Sequence, residues 1–125
     1  MRYSLLLHYP EQTPESIGAD VIEEGQRAFV SYAVALDAAG VLISAEVLQP
    51  SGSTTTVRVV DGATRVQDGP FADTKEQLGG TFVIDVPDLD AALEWAGRAP
   101  SVAWGSVEVR PGAVYYADGA WRPNA

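Results

Sequence analysis

One histidine and no cysteine leave this 125-residue chain few ways to do chemistry. His8 is the side chain best suited to move a proton near neutral pH, as general base or general acid. Glu46 stands within the apolar run Val41 to Gln49 (VLISAEVLQ), where a carboxylate needs a partner. It could orient His8 or serve as a base with a raised pKa. Arg110 has the planar fork that clamps a carboxylate or phenolate. These three are the catalytic candidates, and Tyr32, Asp68, Phe71, Glu76 and Glu108 are the expected substrate contacts. Structural roles compete at the same positions: a strand-end histidine without a task, a Glu46–Arg110 ion pair, a dimer or Glu108 salt bridge for Arg110, and turn chemistry for Asp68-Gly69-Pro70. Other chemistries lack their residues. A tight transition-metal site needs more than one histidine without cysteine. No glycine-rich turn opens a helix with a following lysine, and Gly105-Ser106-Val107 is not a nucleophile elbow.

For these side chains to meet, particular elements must carry them. Arg2 to Tyr9 (RYSLLLHY) is apolar, aromatic and ended by Pro10, which predicts a first strand. Glu11 to Gly18 reads as a loop. From Asp20 to Ala39, Ile22, Gly25, Phe29, Tyr32, Ala33 and Leu36 recur at spacings of three and four and predict a helix, with Asp20 as its cap and Gly40 as its stop. Val41 to Gln49 predicts a strand. Thr54 to Val60 and Thr64 to Gln67, joined by Asp61-Gly62, predict a hairpin. Thr81 to Val86 is a further strand. Asp88 caps a second helix whose buried side is Leu89, Ala92, Leu93 and Ala96, ended by Gly97 and Pro100. Ser106 to Arg110 is the last core strand. Tyr115, Tyr116 and Trp121 around Asp118-Gly119 predict a small extra hairpin.

Without the inserted hairpin the order is strand, helix, strand, strand, helix, strand. That is the split βαβ arrangement of the α+β class: a ferredoxin-like antiparallel sheet with both helices on one face. The other face then needs a partner or a ligand. Alternation places Ser4, Leu6 and His8 together, as it does Ser106, Glu108 and Arg110, Thr81, Val83 and Asp85, and Ser44, Glu46 and Leu48. These more polar sets are expected to line a cleft.

Composition bounds the rest. One domain of ordinary size is expected, and no run is long enough to span a bilayer. The formal net charge is −9, from 17 acidic and 8 basic residues, and the arginines are scattered. Neither nucleic acid nor an anionic membrane is therefore an expected partner.

The segment Asp68-Gly69-Pro70-Phe71-Ala72-Asp73-Thr74-Lys75-Glu76-Gln77-Leu78-Gly79-Gly80 closely resembles the signature of DGPF-type members of the YCII-related family. Flanking matches at Glu46, Leu48-Gln49-Pro50, Leu89 to Trp95 (LDAALEW) and Val107 to Pro111 (VEVRP) extend the resemblance over residues 3 to 111. It implies a YCII-related domain at 1–111 followed by an aromatic extension at 112–125. It further implies a homodimeric α+β barrel and a cytoplasmic location. Relatives include a dehydrochlorinase acting on chlorinated hydroxybenzenes, and many members are encoded near sigma factors. The His–Asp dyad proposed for other YCII proteins is missing, because its positions fall at Phe29 and near Ala99. Two functions follow as expectations. The first is a small-molecule enzyme of lyase, isomerase or cyclase type, using acid–base chemistry without cofactor or metal. The alternative is a non-catalytic ligand-binding or regulatory module linked to a sigma factor.

Overall fold

Alternation along the first strand decides the architecture. In Arg2–Tyr9 (β1), Tyr3, Leu5 and Leu7 are buried while their neighbours are only partly so. One face of the strand therefore belongs to a core. A computed structural model describes all 125 residues. After β1 come α1 (Pro14–Ile17), α2 (Ala19–Ala38), β2 (Leu42–Val47), β3 (Thr55–Val60), β4 (Ala63–Asp68), β5 (Gln77–Asp85), α3 (Leu89–Ala96), β6 (Ser106–Pro111), β7 (Val114–Ala117) and β8 (Ala120–Pro123). The main sheet has the order β2-β5-β1-β6 with every neighbour antiparallel. This is the ferredoxin-like α+β arrangement expected from the sequence. No helix is long and apolar enough to cross a membrane.

The core lies between this sheet and the helices α2 and α3. Leu5, Leu7, Phe82 and Ile84 of the sheet meet Tyr32 and Leu36 of α2 and Ala92 and Ala96 of α3. The Phe82 ring packs against Tyr32 at a centroid distance of 5.3 Å and Phe29 at 6.4 Å. Tyr32 is thereby corrected as a substrate contact. It is 5% exposed, and its hydroxyl donates to the Trp95 carbonyl at 2.7 Å, tying α2 to α3.

Several element boundaries also differ from expectation. The loop after β1 contains α1, whose N-cap Thr13 and Ser16 bond reciprocally. Gly18, not Asp20, precedes α2, and no side chain caps it. Asp88 does cap α3, its carboxylate accepting from the Ala91 N–H at 2.9 Å. Leu89 and Leu93 are half-exposed rather than buried, because α3 turns its small Ala92–Ala96 side to the sheet. A small side there lets the short helix lie close to the sheet beside β6.

Two hairpins stand outside the main sheet. The β3–β4 and β7–β8 pairs each turn on Asp-Gly. Both turn residues have positive φ, 51° and 77° at Asp61-Gly62 and 52° and 79° at Asp118-Gly119, as a tight two-residue hairpin requires. The aromatic extension is fastened to β1: the Asn124 side chain accepts from the Arg2 N–H and donates to the Arg2 and Gly112 carbonyls, and Arg2 lies 3.9 Å over the Tyr115 ring.

Candidate active site

β1 ends at His8 and Tyr9, and its partners there are set by a bulge. His8 pairs with Leu78 whereas Leu7 pairs with Gly80, so Gly79 is the extra residue of β5. A Cβ at Gly79 would run into the Tyr9 ring, whose hydroxyl donates to the Gly79 carbonyl at 3.2 Å. Glycine is what lets the strand bulge beneath an aromatic ring. Beyond the bulge the alternation changes phase, so Leu78 and Glu76 join His8 on the open face. Gly79-Gly80 thus belongs to the strand, which starts four residues earlier than the sequence pattern suggests, at Gln77.

Across β1 on the other side, Ser106 of β6 lies opposite His8 and Glu108 opposite Leu6. Glu108 is the diagonal neighbour of His8, and its Oε1 lies 2.6 Å from His8 Nε2. The oxygen sits off the line along which an Nε2–H would point, so Nε2 is enclosed without an aligned hydrogen bond. Ser106 Oγ donates to Glu76 Oε1 at 2.8 Å, closing the loop after β4 onto β6. That loop is shaped from within: the Gln77 amide donates to the Ala72 and Thr74 carbonyls, and Thr74 Oγ1 donates to the Glu76 carbonyl.

These groups line a cavity of about 950 Å³ with Leu48, Pro50, Pro70 and Phe71 on its other walls. Ser51, on the same wall, donates from backbone and side chain to Glu11. Phe71 is 77% exposed at the mouth, with the Arg58 guanidinium 5.0 Å from its ring centroid.

Of the eight candidate residues, His8, Glu108, Glu76 and Phe71 converge. The other four do not. Glu46 is on the open face but pairs with Thr81, two strands from β1, so it neither orients His8 nor meets Arg110. Arg110 lies opposite Ser4, toward the other end of β1, and makes no ion pair. Asp68 ends β4 opposite Thr55, outside the cavity lining. Tyr32 is on the opposite side of the sheet. Ser106, expected among the polar residues lining the cleft but not as a substrate contact, joins the converging group through Glu76. No three His, Asp or Glu side chains converge as a metal-ligand set.

A second cavity, about 650 Å³, lies between α2 and the ends of β1 and β2. Phe29 and Pro100 line it together, beside Tyr9 and Trp104, whose rings meet edge to face at 5.1 Å. Of the two dyad positions only Phe29 lines this mainly apolar space, since Ala99 is buried in the core. Burial, with the Glu11 charge adding to it, pushes the Tyr9 hydroxyl above its usual range.

The YCII-related domain model matches residues 1–112. An uncharacterized protein of Rhizobium meliloti (strain 1021) is 36% identical over 117 residues, covering 92% of this chain and 94% of the relative. A match of that extent, over the same strands and helices that build the sheet and its cavity, makes this chain a member of the YCII-related domain family.

Proposed function

We propose that the protein is a small-molecule enzyme of lyase, isomerase or cyclase type, working by proton transfer at His8 and needing no redox cofactor. The observation that carries this reading is the His8–Glu108 pair, 2.6 Å apart in a cavity large enough for a drug-sized molecule. Imidazole takes a proton near neutral pH, and the imidazolium so formed faces a carboxylate already in place. Glu108 thus takes the part foreseen for Glu46. The expectation of an anionic substrate held by Arg110 gives way as well. The lining includes Glu76 and Glu108 but no arginine or lysine, so a neutral or amine-bearing carbonyl compound fits better than a carboxylate or phenolate. Phe71 offers such a ligand an aromatic surface at the mouth. The working unit is a homodimer, which would cover the open face of the sheet.

The test begins with native mass spectrometry of the purified protein, to identify any retained small molecule. That compound, or a panel of neutral and amine-bearing carbonyl compounds, is then incubated in D₂O and followed by NMR for loss of C–H signals. His8→Ala should slow the exchange by about 10²- to 10⁴-fold, the usual share of general acid–base catalysis. Its melting temperature should stay close to that of the parent. Ligand retention with no exchange in either protein would favour the non-catalytic binding module instead. Exchange undiminished in His8→Ala would remove His8 from the mechanism.

A further inference from the structure

The β3–β4 hairpin is built as though something else were meant to cover it. Its strands pair only with each other, and a two-stranded hairpin alone is marginally stable in water. One face carries Val57, Val59 and Val66, which are 62%, 71% and 68% exposed. Val57 and Val66 are directly opposite each other, forming an apolar stripe with no cover within the chain. On the other face Arg58 and Arg65 are directly opposite, a like-charge placement that costs stability unless an anion relieves it. Neither arginine makes an ion pair within the chain.

The rest of the molecule supplies the complement. The hairpin's two arginines are matched by Asp61 and Asp68, so the entire net charge of −9 resides on the remainder of the chain. A second copy therefore presents an acidic body to the arginine face. The accessible surface agrees. It is 8267 Å², whereas a compact monomer of 13.3 kDa presents about 6,500 Å². The excess, about 1,800 Å², is more than the roughly 800 Å² that one partner contributes to a standard interface.

We infer that the β3–β4 hairpin is an intersubunit arm, docking onto a second copy of this chain through its valine stripe and its arginine pair. The inference rests on the homodimeric reading above and adds to the covered sheet face a second element that holds the two copies together. The arm's base also carries the cavity wall, since Thr54 and Pro70–Phe71 flank its two strands.

The experiment is sedimentation equilibrium of the full chain from about 1 to 100 µM, the range in which a micromolar dimer would dissociate. The parent should be a dimer. Val57→Asp with Val66→Asp should raise the dissociation constant at least about 30-fold, as loss of a central apolar anchor does. Arg58→Glu with Arg65→Glu keeps the valines and guards against a folding defect in the first variant. It should weaken the dimer about 10-fold at low salt, and 1 M NaCl should erase most of the difference. A monomeric parent would overturn both the dimer and the arm. A dimeric parent with both variants equally dimeric would overturn the arm alone.

Discussion

The two faces of the four-stranded sheet are made by the same strands and do different work. Toward the helices, Tyr3, Leu5, Leu7, Phe82 and Ile84 are all at or below 4% exposure and touch one another and α2. Away from them, Ser4, Leu6, His8, Thr81, Glu108 and Arg110 share a face that no helix covers and that the loop after β4 walls only at its His8 end. Period-two alternation thus gives one face to the core and leaves the other to the candidate site. The open face is itself uneven. Only the end beyond the Gly79 bulge gathers charges, where His8, Glu108, Ser106 and Glu76 meet. Glu46 and Arg110, on the same face, stand alone.

The comparison breaks most visibly on the closed face. Phe82→Ala should cost about 3–5 kcal/mol, because the ring is 2% exposed and its cavity is walled by Tyr32 and Phe29. Urea unfolding measures this directly. A loss below about 1 kcal/mol would mean that the helices do not hold the sheet as described.

On the open face the informative pair is Glu108→Gln against Glu46→Gln. Both remove one charge while keeping shape, and both side chains lie on the same surface. Glu108→Gln should lower turnover about 10- to 100-fold, part of the general acid–base contribution. It should also move the ring ¹⁵N signals of His8, which are unambiguous because the chain has one histidine. Glu46→Gln should leave those signals in place and change stability by less than about 0.5 kcal/mol. The reverse pattern would restore the pairing that the sequence pattern suggested and the register denies.

What could be read from the sequence follows from how local each signal is. β1 was legible because its alternation and Pro10 are contained in nine residues. Both hairpins were legible because Asp-Gly turns carry their own conformational demand. The open-face set was legible by alternation alone, but which members of it meet was not. That depends on register: Glu108 reaches His8 only because Ser106, two residues earlier, lies opposite it. The bulge was hidden for a related reason. Gly79-Gly80 looks like a break in any strand pattern, and only the Tyr9 ring above Gly79 explains why a glycine is needed there. Tyr32 shows the converse error. Its place on the apolar helix face was right, and assigning it to substrate ignored that a buried hydroxyl can be satisfied by a backbone carbonyl.

Tyr32 gives the smallest effect and the finest test of the closed face. Burial pushes its hydroxyl up to about 12, with Arg98 pulling weakly the other way. An unfolded tyrosine titrates near 10. Between those values the unfolded chain releases the proton while the native chain keeps it, so the native state binds more protons and stability falls as pH rises. Below pH 10 the contribution is fully present. Tyr9, also raised, adds to the decline in the same direction. Tyr32→Phe should cost about 1 kcal/mol at neutral pH, since the Trp95 carbonyl loses its donor. Above pH 10 it should decline less steeply than the parent, so the two curves converge and then cross. Urea midpoints at about pH 7, 10 and 11.5 resolve this. If the variant declines as steeply as the parent, the alkaline loss comes from elsewhere, and the Tyr32 hydroxyl is not the proton that the closed face retains.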